Sequence, residues 1–270
     1  MPLTDEQAVK LEGGILQLPM TAGAAVLAYH LPGIDNLRLS RAAVTGIFLG
    51  KVSRWNDPMI SAANAGVKLP DLAITLVARA DSSGTTYVIT RHLSAISEEF
   101  AKTVGVTMTP AWPEKLKKRG ALIRGQGNGG VAAYVKAIPG SIGYVQYAYA
   151  HLTDIQIASL QNQAGEFVPP SSESFRAAVE SFKARLDNPN VADPRGPGSY
   201  PILTLSWLIA RKNYDDEKAD ALKDVIRYCL TDGQRVADSL GYIPLTDEGI
   251  KLILREVGSN EFGKESTQIR

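Results

Sequence analysis

The chain has one cysteine, Cys229, among 270 residues. A lone cysteine excludes an internal disulfide framework and a cysteine-based zinc site. Its place in a helical stretch reads it as a small buried apolar residue. Histidine is scarce too. His30, His92 and His151 have no metal-ligand spacing and no cysteine or acidic cluster beside them, so they read as structural or exposed. No apolar run approaches the ~20 residues of a membrane span. Residues 1–7 are polar and lack the apolar stretch of a secretory leader. The net charge of +1 gives no electrostatic case for nucleic acid or for a membrane surface. Internal repeats and low-complexity tracts are absent as well.

What is present is ordinary globular composition, 44% hydrophobic and 21% charged. At ~150 residues per domain the length suggests about two domains. Thr4 and Gln7 read as the capping box of a short helix reaching about Glu12. Ile15 to Pro19 and Ala22 to Tyr29 read as two strands, and Ser40 caps a helix to about Leu49. Leu72 to Val77 is a strand, followed by one long helix from Thr85 to Val104. The glycine-rich run 125–130 reads as a tight turn before a helix from Val131 to Lys136, and Ile142 to Val145 as a strand. A helix runs from Ser172 or Glu173 to about Arg185. Residues 188–198 form a surface loop at a domain crossing. Ile202 to Ile209 is a strand, Asp216–Asp232 and Thr246–Val257 are helices, and 258–270 is a loose tail. Strands alternating with helices predict an α/β protein with mainly parallel sheets. Trp55 and Trp207 read as packing residues and Trp112 as partly exposed. Asp215–Glu217 and the Lys115–Arg119 run read as solvated faces.

The chemistry concentrates in Arg79-Ala80-Asp81-Ser82-Ser83-Gly84-Thr85-Thr86. A small-residue turn sits where a strand ends and a helix begins, so unpaired N–H groups and the helix dipole favour an anion. Ser83 and Thr85 add hydroxyls, and Arg79 a planar cation suited to oxyanions. The simpler reading is an N-cap in which Asp81 or Ser82 bonds the first amides. Arg79 beside Asp81 tips the balance toward a socket for a small tetrahedral anion. The run 125–130 fails the phosphate-loop pattern, because no Gly-Lys-Ser/Thr follows, and it fails as a dinucleotide fingerprint. A Gly-x-Ser-x-Gly nucleophile elbow is absent. No carboxylate cluster or general base accompanies the socket, so the chain reads as no enzyme, and as carrying no metal and no cofactor.

These residues resemble the phosphate-specific periplasmic binding proteins, the substrate-binding components of bacterial phosphate ABC transporters. Arg79-Ala80-Asp81-x-Ser83-Gly84-Thr85 is similar to that family's anion signature. In the same order, Phe48–Val52 with Trp55-Asn56-Asp57, Gly127–Val135, Pro139–Val145 and Tyr200-Pro201-Ile202 are similar to four further blocks. The resemblance covers essentially the whole chain. It implies a two-lobed fold of the periplasmic-binding-protein type II kind, with the ligand held between lobes and crossings near Gln17–Pro19 and Ser199–Pro201. It also implies that phosphate is bound by Arg79, Ser83, Gly84 and Thr85, with Asp81 holding Arg79 from behind. Serine and threonine would give backbone and hydroxyl donors. The expected partners are inorganic phosphate and the permease subunits, with a periplasmic, monomeric protein that neither binds nucleic acid nor inserts in the membrane.

The resemblance further implies that Met1 falls well inside the family pattern. Residues 1–19 would be a remnant of the first lobe, 20–198 the second lobe, and 199–270 the C-terminal part of the first. The first lobe would then be incomplete, lacking a Thr/Ser-rich loop, a serine, and the aspartate that accepts the proton of monohydrogen phosphate. Apolar faces in its C-terminal part would be exposed. Two alternatives stand beside phosphate transport: a remnant without tight ligand binding, and a relative that takes sulfate, molybdate or tungstate.

Overall fold

The computed structural model describes residues 3, 5–11, 13–181 and 192–259. They fall into two compact units. One comprises residues up to Gly23 and from Leu205 onward, the other Ala24 to residue 181 and on to Thr204. The capping residue Thr4, the helix end at Glu12, residues 182–185 and the tail beyond 259 lie outside the described residues.

The larger unit is built on β1 (Ile15–Tyr29), β2 (Thr75–Arg79), β3 (Leu122–Gly125) and β4 (Ser141–Gln146), in the order β3-β2-β4-β1. β2 pairs in parallel with both β3 and β4, but β1 runs antiparallel to β4, with Ala25 opposite Gln146 and Tyr29 opposite Ile142. The sheet is therefore mixed rather than mainly parallel. β1 contributes its second half here. The two short strands expected at Ile15–Pro19 and Ala22–Tyr29 are one strand of 15 residues. Proline fixes φ in a range a strand also uses and removes one donor, so it does not by itself end an extended segment.

The strand ends decide where chemistry can sit. Arg79 and Gly125 are register partners at the carboxyl ends of two parallel neighbours. Each strand leads into a helix: α1 (Gly84–Ile96) follows β2 after a short turn, and α3 (Gly127–Ala137) follows β3 almost at once. The long helix expected to Val104 is broken at Ser97. Its backbone is extended and its side chain accepts from the Phe100 N–H, which starts a separate α2 (Glu98–Thr103). Serine competes with helical hydrogen bonding and favours caps, so Ser97 restarts the chain rather than continuing it.

Behind these strands lies an aromatic core. Trp112 is 1% exposed, contrary to the partial exposure expected for it, and its ring centroid lies 5.6 Å from Phe48 and 6.3 Å from Tyr144. Its flanking prolines suggested a surface loop, but that loop folds an indole inward. Trp55 is fully buried, and its Nε1–H donates to the Gly140 carbonyl at 2.9 Å. A second, three-stranded sheet joins Arg38–Leu39, Ser159–Gln161 and Phe167–Val168.

In the smaller unit the first half of β1 pairs with β5 (Leu203–Arg211), and α4 (Asp216–Leu230) and α5 (Asp247–Ser259) contribute to its core. Leu16, Leu18, Ala219, Ile226, Leu230, Ile253 and Val257 form the buried cluster. Cover is thinner here. On β5, Leu205, Trp207 and Leu208 are only half-buried, and Ile209 is 41% exposed. Val225 and Tyr228 of α4 are also exposed. Cys229 is half-buried rather than buried. Among the described residues no helix is long and apolar enough to cross a membrane.

Candidate functional site

Arg79 ends β2 with its side chain 10% exposed, and Asp81 braces it. Arg79 Nε donates to Asp81 Oδ1 at 2.8 Å, and Nη2 donates to Oδ2 at 2.5 Å. Asp81 Oδ1 also accepts the Gly127 N–H at 3.0 Å, at the start of α3. Hydrogen bonding from Arg79 is the main reason the Asp81 carboxyl is held well below the usual carboxylate range. The Gly127 N–H adds to this, and partial desolvation opposes it. A carboxylate so placed is always ionised near neutral pH, and the Arg79–Asp81 pair carries no net charge.

The brace fixes which donors remain. A guanidinium has five N–H groups. Two bond to Asp81, and Arg79 Nη1 donates a third to Asn128 Oδ1 at 3.2 Å. One N–H on each of Nη1 and Nη2 is left for a ligand. The Arg79 backbone N–H donates to the Tyr144 hydroxyl at 3.1 Å, and that hydroxyl lies 2.9 Å from Thr86 Oγ1. Burial raises the Tyr144 pKa, so the phenol stays protonated and ties the aromatic core to the site.

Ser83 is the N-cap of α1. Its side chain, 2% exposed, accepts from the Thr86 N–H at 3.2 Å, a role expected of Asp81 or Ser82. Its backbone N–H donates to the Met108 carbonyl at 3.3 Å. Of the donors assigned to Ser83 from sequence, the backbone N–H is therefore already engaged, and the hydroxyl proton is the one left. Gly84 and Thr85 follow, and their N–H groups have no acceptor among the described residues. Thr85 Oγ1 makes a long 3.4 Å bond to Asn128 Oδ1.

A second helix start arrives at the same place. The glycine-rich run expected as a turn is instead the first turn of α3, with Gln126 as its N-cap. Four glycine positions in six residues hide a helix start, because glycine costs ~1 kcal/mol relative to alanine inside one. Gly125 is needed for close approach. A Cβ there would stand 2.6 Å from the Gly130 carbonyl carbon and from the Val131 nitrogen. Asn128, which sequence reasoning did not single out as a site residue, thus stands against both Arg79 and Thr85. Its motif position between two glycines was visible, but its partners were not.

The arrangement offers two helix amino ends and a braced guanidinium, all donors. Among the described residues no cluster of histidine, cysteine and carboxylate groups could hold a metal ion. Asp81 supports the folded state while it is ionised. Its native pKa lies below the unfolded value of ~3.9, so its contribution to stability is complete above about pH 4 and is lost as pH falls toward the native value. The stability gap between the wild type and D81N, from urea unfolding, should be largest at pH 7 and shrink at pH 3. An unchanged gap would remove Asp81 from the account.

Residues 1–232 match the PBP superfamily domain. The chain is 38% identical over 261 residues to the phosphate-binding protein PstS of Methanocaldococcus jannaschii, covering 90% of this chain and 67% of that one. It is 40% identical over 245 residues to the phosphate-binding protein PstS of Pasteurella multocida, covering 88% and 69%. It therefore spans about two thirds of the length of these curated relatives. In fold it is similar to a high-affinity periplasmic phosphate-binding protein solved with phosphate. That match has a TM-score of 0.72, 20% identity, and covers 98% of this chain and 82% of that one. The phosphate-binding protein of Stenotrophomonas maltophilia is similar too, with a TM-score of 0.65, 20% identity and coverage of 94% and 76%.

Proposed function

We propose, from the premise that the chain belongs to the PstS family of phosphate-binding proteins, that it binds inorganic phosphate as the substrate-binding component of an ABC phosphate importer. The observation that carries this reading is the braced Arg79. Its Nη1 and the Thr85 hydroxyl share Asn128 Oδ1 as acceptor, which ties the guanidinium, with two N–H groups uncommitted, to the start of α1, where the Gly84 and Thr85 N–H groups are open. In the bound state these donors and the Ser83 hydroxyl face phosphate oxygens, while the Thr85 hydroxyl stays on Asn128 Oδ1. Asp81 stays behind Arg79 and fixes its plane. The anion is met by the N–H groups of a guanidinium already neutralised by Asp81 and by helix amides rather than by a cluster of cations, which suits a ligand that must be released again.

The protein acts by binding, not catalysis, and needs no cofactor. It works in the periplasm and hands phosphate to permease subunits. The donor-bearing lobe corresponds to residues 20–198, and residues 1–19 with 199–270 belong to the other lobe.

A second reading has a specific observation behind it. Both Asp81 oxygens are engaged, by Arg79 and Gly127, so this set of groups has no free carboxylate to receive the proton of monohydrogen phosphate. Donors alone accept any tetrahedral oxyanion, and only an acceptor rejects fully ionised sulfate. Calorimetric titration near neutral pH decides. Phosphate binding at least ~10-fold tighter than sulfate, about 1.4 kcal/mol, supports phosphate transport. Equal affinities favour the broader oxyanion reading, and no heat with either ion on a folded chain sinks both.

A further inference from the structure

Asn128 Oδ1 sits at a junction of three donors: Arg79 Nη1 at 3.2 Å, the Gln146 backbone N–H at 3.2 Å and Thr85 Oγ1 at 3.4 Å. A guanidinium and a backbone amide can only donate, so the oxygen of the Asn128 side chain must face them. One atom thereby ties together the end of β2, the start of α1, the start of α3 and the end of β4. A carboxylate could accept the same three hydrogens, with more lone pairs and the same shape. The chain has a neutral amide there instead.

The difference is charge. Asp81 already cancels the charge of Arg79. A second carboxylate against the same guanidinium would make the cluster net negative where an anion must dock. We infer that Asn128 is a positioning residue for Arg79 and Thr85, and that its neutrality is a determinant of oxyanion affinity. This rests on the oxyanion reading of the same site. The neutral oxygen holds both donors in place while the helix amides keep their full attraction for the ligand.

Two substitutions separate the two parts. N128A removes the acceptor, and the affinity for phosphate should fall about tenfold, as for one lost charge-assisted bond. N128D keeps all three hydrogen bonds and adds a negative charge. Its affinity should fall on the order of a hundredfold, as expected for like charges ~6 Å apart at an effective dielectric constant of ~20. The expected order is wild type, then N128A, then N128D. Urea unfolding run alongside should show N128D as stable as the wild type, so that its loss of binding is not a loss of fold.

A residue with only a structural role gives the reverse order, because aspartate restores what alanine removes. N128D binding better than N128A would therefore overturn the inference, and so would N128A binding like the wild type. If the wild type binds neither phosphate nor sulfate, the functional reading itself has failed. Crystal structures of ligand-free wild type and N128A then judge the positioning role. An Arg79 guanidinium displaced in N128A upholds it, and one that has not moved overturns it.

Discussion

Replacing Arg79 by alanine is expected to weaken phosphate binding by about a thousandfold or more, roughly 4 kcal/mol. Two losses add up. The ligand loses two charge-assisted N–H donors. Asp81 loses Arg79 as its partner and keeps only the Gly127 N–H, leaving a partly buried carboxylate uncompensated beside the anion. The Arg79→Lys variant sharpens the test. An ammonium keeps the charge, but it cannot hold both Asp81 oxygens along one edge and reach Asn128 while still presenting two parallel donors. Its affinity should fall between those of wild type and alanine, nearer alanine. Calorimetry on the three proteins measures this directly. R79A binding within threefold of the wild type would remove Arg79 from the ligand shell.

The largest expected effect on stability comes from Gly125→Ala. The new Cβ would lie 2.6 Å from two backbone atoms of residues 130 and 131 and 2.9 Å from the Gly130 oxygen. No rotamer change relieves contact with backbone, so the start of α3 must move away from the end of β3. Overpacking of this kind costs about 3 kcal/mol. The same movement withdraws Gly127 from Asp81 and Asn128 from Arg79, so binding should weaken with stability. Gly129, four residues on, is the control. Nothing lies within 4 Å of a Cβ there and the residue is helical, so alanine should stabilise by up to ~1 kcal/mol. Urea midpoints that fail to separate the two variants would refute the packing argument.

Most of the architecture was legible because it rests on local signals. Ser40 capping a helix, the β-strand before Arg79, the apolar strand after Pro201 and the amphipathic helices near the C-terminus all follow from pattern and cap chemistry. Arg79, Asp81, Gly84 and Thr85 lie together as neighbours in sequence. What escaped depends on contacts between distant residues. Pro19 does not break β1, because a strand tolerates its φ and β1 runs on through it. Cys229 is less covered than its helix suggested, because the face it sits on has few neighbours. Trp112 is buried by Phe48 and Tyr144, which its own flanking prolines could not announce. Asn128 joins the site through the parallel register of Arg79 and Gly125, a fact of pairing and not of spacing along the chain.

The Asp81–Gly127 bond has a consequence for when order is acquired. It joins the loop after β2 to the first turn of α3 through the protein's own groups. Arg79, Ser83, Thr86 and Tyr144 are likewise fixed by one another. The rotamer and backbone freedom of these residues is therefore lost during folding, not at the moment of capture. An incoming anion meets donors that already point the right way. What it must still overcome is its own hydration and whatever motion encloses it.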